Sequence, residues 1–300
     1  MERIGFVGLG RMGQIMAGRL LEVGFPLVLY NRTATKADHL VAQGAVRADS
    51  PASLAEQTDI VFTILTDDHA VEQVFLGDQG LLSASIRGKL FVEMSTIRTK
   101  TIHTLCPHVE QRGARLLDAP VSGTLEPARH GQLLILAGGA AADLERARPA
   151  LDILGRRIFH MGDNGTGTTM KLVLNMPMAI FWAGLAEAMA IGQQFGIDKK
   201  QMLDVYLDSP VALPALRGKA PTILGEVNEV AFAVTGVRKD LLAMVATGQD
   251  VGVPNSTGAA ALSLFAAATA AGYGEHDLAF LLEYVMDMAQ KTFPMKSDET

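Results

Sequence analysis

The chain has 300 residues, of which 49% are apolar and 19% charged, with 30 glycines, 12 prolines and a single cysteine, Cys106. This balance excludes a disordered chain and a collagen-like repeat, and the length suggests two domains at roughly 150 residues each. A formal charge of −6 argues against a broad cationic surface for nucleic acid, while one cysteine excludes an internal disulfide or a multi-thiolate metal site and suits a reducing, cytoplasmic setting.

Met1-Glu2-Arg3 runs straight into the apolar segment 4–8, without the apolar core and small-residue cleavage site of a secretion signal, so export is not expected. Residues 4–8 read as a strand, 11–23 as a helix, 27–30 as a strand and 35–43 as a helix. Strands follow at 60–65 and 90–94, a helix at 99–112, and strands at 115–118 and 132–137. Such alternation indicates βαβ units, a parallel sheet with helices on both faces. After Gly165 the pattern becomes helical, with turn signals at Gly196-Ile197-Asp198, Ser209-Pro210 and Gly252-Val253-Pro254 and no convincing strand. Gly162, Gly165 and Gly167 cluster at the change, which divides the chain into an α/β domain at 1–162 and an all-α domain at 163–300. Residues 172–191 are long enough for a bilayer span, but Asn175, Pro177 and Glu187 interrupt them and Lys171 precedes them. A buried helix is the expected outcome, with no membrane partner.

Gly8-Leu9-Gly10-Arg11-Met12-Gly13 follows the first strand and opens the first helix. In that context the first glycine permits a tight turn, the second lets backbone approach a pyrophosphate, and the third allows close helix–strand packing. The helix N-terminus then faces the anion. An acid at the end of the second strand would hydrogen-bond the ribose 2′-hydroxyl of NAD(H), but Asn31-Arg32-Thr33 stands there, with Lys36 close behind. Arg32 can pair with a 2′-phosphate in bidentate fashion and Thr33 can donate to it, so NADP(H) is the expected cofactor. NAD(H) is the alternative if Arg32 is only a solvated surface side chain. Leu65-Thr66 and Met94-Ser95-Thr96 end the next two strands and are candidates to touch ribose and nicotinamide. Asp67 and Asp68 read as caps of the following helix.

Asp118-Ala119-Pro120-Val121-Ser122-Gly123-Thr124 closes a later strand, and Ser122, Gly123 and Thr124 can present successive N–H groups to a carboxylate. Arg129 and His130 follow and could approach the same anion. Lys171 and Asn175 stand one turn apart on a helix of mainly apolar residues. A lysine buried there would hold its proton less tightly than in water, which suits proton transfer; the alternative is a lysine that snorkels at the helix start. The seven histidines show no metal-ligand spacing, and no metal is expected.

Four segments, GFVGLGRMGQIMAGRL, DAPVSG, GDNGTGTTMKLVLN and VRKDLLAM, in this order over residues 5–244, closely resemble the β-hydroxyacid dehydrogenases. That group includes 3-hydroxyisobutyrate dehydrogenase and the tartronate, succinic and glyoxylate semialdehyde reductases. The resemblance implies a Rossmann-like N-terminal domain, a long interdomain helix and an all-helical C-terminal domain that forms homodimers or homotetramers. It makes Lys171 the catalytic lysine, Asn175 the amide that helps hold the substrate, and Ser122, Gly123 and Thr124 the loop for the substrate carboxylate. Thr96 and Lys239 match positions that contact the cofactor, and Asp240 is expected to fix the loop of that lysine. The implied partner is a small carboxylate-bearing substrate.

Two departures stand out. Thr124 replaces the second glycine of the usual DAPVSGG, and Pro177 inside the long helix should kink it. Imine reductases, which are related, usually lack the lysine, and phosphogluconate dehydrogenases are much longer. A protein that only senses NADP(H), or serves as a scaffold, would be expected to lose Lys171 or the DAPVSG loop. The far wall of the substrate site is assigned to residues 211–217, Phe232, Val237 and residues 292–295.

Overall fold

Short runs of Val, Ile, Leu and Phe between helical patterns can hide both faces only as central strands of a covered sheet. In the computed structural model, which describes residues 2–292, they do so within the first of two compact units, Met1–Leu172 and Val173–Thr300. The strands are β1 (Ile4–Val7), β2 (Leu27–Tyr30), β3 (Val46–Arg47), β4 (Ile60–Thr63), β5 (Leu90–Glu93), β6 (Arg115–Asp118), β7 (Val121–Ser122), β8 (Leu133–Gly138) and β9 (Gly155–Gly162). The helices of this unit are α1 (Arg11–Glu22), α2 (Asp38–Val41), α3 (Pro51–Glu56), α4 (Asp68–Leu76), α5 (Thr99–Glu110), α6 (Leu125–Arg129) and α7 (Ala141–Leu154). A long helix, α8 (Thr166–Gln194), begins in it and continues into the second unit.

The sheet order is β3-β2-β1-β4-β5-β6-β8-β7, with β9 paired to β8. The first six strands in that order are parallel, which is the doubly wound arrangement of dinucleotide-binding folds. Side chains alternate between two cores. Ile4, Phe6, Leu29, Phe62 and Val92 enter one, and Val7, Val28, Val61, Phe91 and Leu116 the other, as the two-residue period of a strand requires.

The expectation of an all-parallel sheet needs correction at one end, because β8 runs antiparallel to β6 and β7. The connections from Asp118 to Val121 and from Ser122 to Leu133 are shorter than a parallel crossover with a full helix. β3, β7 and β9 have no counterpart among the expected strands. Two are only two residues long, and β9 combines exposed Arg156, Arg157 and His160 with half-buried Ile158, Phe159 and Met161, a polar edge rather than an apolar run. The helix expected at 35–43 divides into a 3₁₀ turn, Ala34–Ala37, and α2.

The second unit is helical, with α9 (Lys199–Asp208), α10 (Pro214–Ile223), α11 (Val234–Asp250), α12 (Ser256–Ala268) and α13 (Phe280–Thr292) following α8. Among the described residues its β pairing is one isolated bridge, Ala233 to Asp277. By length and composition α8 could cross a membrane, yet its inward face buries Ala179, Trp182, Leu185, Ala186 and Met189, the pattern of a core helix. It runs through Pro177 as one helix. Asp277 organises the other end of the unit: its carboxylate pairs with Lys219 at 2.6 Å and accepts from the N–H groups of Ala231, Phe232 and Ala279.

Candidate active site

Strand order reverses between β1 and β4, so the loops beyond their carboxyl ends diverge and leave a crevice. The Gly8–Gly13 loop sits there, and each glycine has a different reason. Gly8 has φ +97°, and a Cβ on it would lie 2.2 Å from the Ile64 carbonyl oxygen. A Cβ on Gly13 would lie 1.9 Å from the Gly8 oxygen, so α1 starts directly against the turn. Gly10 has no atom within 4 Å of its would-be Cβ; it is exposed, and no side chain caps α1 behind it. An open approach to bare backbone at a helix N-terminus is what a diphosphate needs, and the residues present fit a dinucleotide.

Asn31 ties the loop to β2. Its Oδ1 accepts from Leu9 N at 2.9 Å and its Nδ2 donates to the Thr33 oxygen at 2.9 Å. Asn31 therefore holds the cradle, a role that spacing alone did not separate from ligand contact. Met12 packs against the core, whereas Arg11, Arg32, Thr33 and Lys36 are exposed. Across the crevice, Leu65 N donates to Ser95 Oγ at 2.7 Å, with Thr66 exposed and Thr96 half-buried just beyond the strand ends. Asp67 caps α4, accepting from Ala70 N at 2.8 Å. Asp68 is the first residue of α4, and its carboxylate accepts from Arg98 N at 2.8 Å.

The start of α8 is bolted to the sheet by Asp118. Its two carboxylate oxygens accept from Gly165 N and Thr168 N, each at 2.7 Å, and the side chain is fully buried. Close packing at this point requires Gly167, whose Cβ would lie 2.2 Å from the Leu136 oxygen. The acid that opens the DAPVSG segment thus fixes the first turn of the helix carrying Lys171 and Asn175, a link the motif spacing did not disclose. Ser122, Gly123 and Thr124 lie at the end of β7 and before α6, with Gly123 and Thr124 exposed. Thr124 is the N-cap residue of α6, yet its side chain makes no capping bond. Arg129 pairs with the Glu126 carboxylate, and His130 Nδ1 lies 2.9 Å from the Glu126 oxygen.

Lys171 and Asn175 are 8% and 7% exposed, so both polar groups of the pair are buried one turn apart on α8. In the second unit Asn175 Nδ2 donates to Asp240 Oδ2 at 2.9 Å, and Asp240 Oδ1 pairs with Lys239 Nζ at 2.8 Å. Asp240 lies inside α11, not in a loop as expected, and it orients the Asn175 amide as well as the neighbouring lysine. Val237, expected in the wall of the substrate site, is fully buried. Phe232 is half-buried against Gly236, and residues 293–295 lie outside the described residues. Among the described residues no group of three or more His, Cys, Asp or Glu side chains is placed to hold a metal ion.

Comparison with known proteins bears on this arrangement. Residues 3–162 match the family model described as the NAD binding domain of 6-phosphogluconate dehydrogenase. Residues 165–285 match the model for the NAD-binding part of NADP-dependent 3-hydroxyisobutyrate dehydrogenase. Glyoxylate/succinic semialdehyde reductase 1 of Arabidopsis thaliana is 33% identical over 94% of this chain and 98% of that protein. The cytokine-like nuclear factor N-PAC of Xenopus tropicalis is 33% identical over 92% of this chain but only 52% of that protein. Among solved structures, 3-hydroxyisobutyrate dehydrogenase of Mycobacterium tuberculosis with L-serine superposes at a TM-score of 0.84. It is 26% identical, and the match covers 95% of this chain and 99% of that one.

Proposed function

The chain belongs to the β-hydroxyacid dehydrogenase family, NAD(P)-dependent enzymes that interconvert hydroxyacids and semialdehydes, and from that premise we propose that it is an NADP(H)-preferring semialdehyde reductase with Lys171 as its acid and base. The observation that carries this reading is the buried Lys171/Asn175 pair on a helix start clamped by Asp118. A lysine so placed has little solvent to compete with a substrate oxygen.

When bound, the nicotinamide cofactor supplies hydride exchange with the substrate carbon. In reduction, protonated Lys171 donates to the aldehyde oxygen; in oxidation, neutral Lys171 removes the hydroxyl proton. Asn175, its amide turned by Asp240, holds the substrate. The Ser122, Gly123 and Thr124 backbone takes the carboxylate, fixing the distance from anchor to reacting carbon. Gly8, Leu9, Gly10, Arg11, Met12 and Gly13 form the diphosphate cradle, and Leu65, Thr66 and Thr96 add cofactor contacts; Lys239 matches a cofactor-contacting position of the family. Homodimers or homotetramers belong to the same reading, supported by the exposed Ile191, Phe195, Leu242 and Val253 of the helical unit.

NADPH consumption should appear with small aldehyde acids, screened as glyoxylate and the succinic, malonic and tartronic semialdehydes; no turnover with any of them, nor with β-hydroxyacids in reverse, would overturn the reading. Similarity to N-PAC supports a second one, a nucleotide-binding scaffold, which tight NADPH binding without turnover would select. For cofactor choice, exposed Arg32 beside the cradle is the deciding group. Arg32→Ala is expected to weaken NADPH binding by roughly tenfold or more, the loss of a charge-assisted hydrogen bond, and to leave NADH binding unchanged. Equal losses for the two cofactors in a fluorescence titration would show that Arg32 does not read the 2′-phosphate.

A further inference from the structure

Three strand ends of the first unit carry a buried polar row that neither the fingerprint nor the lysine accounts for. The register pairs Thr63 with Glu93 and Glu93 with Asp118 on adjacent parallel strands. All three side chains point to the sheet face that holds Val61, Phe91 and Leu116. Thr63, Glu93 and Asp118 are at most 1% exposed. Glu93 Oε1 accepts from Ser95 N at 2.6 Å, and Oε2 accepts from the Thr63 hydroxyl. Ser95 in turn accepts from Leu65 N. One carboxyl group therefore joins the ends of β4 and β5, from which Leu65, Thr66 and Thr96 project.

Two carboxyl groups side by side in a dry layer do not both ionise freely. Burial and the neighbouring Asp118 push Glu93 up to about 7, against the hydrogen bonds from Ser95 and Thr63. Burial raises Asp118 as well, but its two oxygens face backbone N–H donors, which cannot accept a hydrogen bond from a protonated carboxyl; Glu93 faces the Thr63 hydroxyl, which can, so Glu93 is the member that takes the proton. Cys106 and Asp68, on the helices that cover this face, do not neutralise it. Cys106 on α5 is pushed up to about 12 by burial and stays a neutral thiol. Asp68 on α4 is engaged by Arg98 N and the Thr101 hydroxyl.

We propose that Glu93 is a proton-linked positioning residue, whose buried carboxylate sets the β4 and β5 ends and whose charge favours the oxidised over the reduced cofactor. The inference rests on the cofactor reading above. Ionised Glu93 accepts from both Ser95 N and Thr63; protonated, it must donate on one side, and the Thr63 contact reverses. The oxidised nicotinamide ring is cationic and the reduced ring neutral, so a buried anion beneath the ends that receive it distinguishes the two.

The test is the ratio of dissociation constants for NADP+ and NADPH from pH 5.5 to 8.5, measured by titration calorimetry. Taking the ratio cancels the 2′-phosphate, which titrates near pH 6 in both forms. In the wild type, NADP+ binding should tighten relative to NADPH by about three- to tenfold as the pH rises through 7, the scale of one partly screened charge. In Glu93→Gln the ratio should be flat. Thr63→Val, which removes a donor to the anion, should move the midpoint upward and serves if Glu93→Gln does not fold. A flat wild-type ratio, or the same slope in Glu93→Gln, overturns the inference and leaves the cofactor reading standing. Absence of binding at every pH overturns both.

Discussion

Lys171→Met is expected to lower turnover by roughly 10²-fold or more, the usual contribution of a positioned acid or base, and to leave NADPH affinity within about twofold. Methionine is chosen because Lys171 is buried: it fills the space of the lysine stem, whereas alanine would add a cavity to the loss of the amine. Two readouts separate chemistry from scaffolding. If the lysine transfers a proton, kcat falls while cofactor binding and the melting temperature hold. If it only braces the start of α8, the melting temperature falls with the rate. Lys171→Arg sharpens the assignment, because a guanidinium keeps the positive charge but does not release a proton in proteins. An arginine enzyme as slow as the methionine enzyme makes proton transfer the function of Lys171, and wild-type turnover in either variant would remove it from the mechanism.

The expected precision of that lysine comes from groups far from it in sequence. Asp118 is separated from Gly165 and Thr168 by more than forty residues, yet both N–H groups end on its carboxylate. Motif spacing could mark the two segments as important but not that one holds the other, since the contact depends on how β6 and the start of α8 meet. Asn175 and Asp240 pose the same problem. The family resemblance marked Asp240 only through its neighbour Lys239, and the contact with Asn175 depends on how α8 and α11 pack. By contrast, β1, β2, β4, β5, β6 and β8 were legible from their apolar runs to within a residue or two. Those strands are covered on both faces, so burial imposes one composition along their length. At β7 and β9 the partners decide the conformation: a two-residue ladder and an Arg-bearing edge carry no pattern of their own. Glu93 was invisible for a further reason. A glutamate inside the apolar run 90–94 reads as one polar residue of a strand, and only the register reveals that it is enclosed between Thr63 and Asp118.

Gly10→Ala should weaken cofactor binding by roughly tenfold or more without harming the fold, which Gly8→Ala and Gly13→Ala should not be able to do. At Gly8 and Gly13 the added carbon would fall 2.2 Å and 1.9 Å from a backbone oxygen, so the turn itself must move. Loss of binding in those variants would be indistinguishable from damage to β1 and α1. At Gly10 the backbone has φ −73° and ψ −170°, an extended conformation open to any residue, and the new methyl would meet no protein atom within 4 Å. The stability cost is therefore near zero, and a lower entropy of the unfolded chain offsets part of it. The methyl instead occupies the space through which a diphosphate would reach the α1 N-terminus. Displacing that group by even one methyl width lengthens several charge-assisted hydrogen bonds together, so NADPH and NADH affinities should each fall by roughly tenfold or more. Thermal unfolding without cofactor is the control and cofactor titration the readout. Wild-type affinity with wild-type stability in Gly10→Ala would mean that the dinucleotide does not lie against this loop, whatever the glycine spacing suggests.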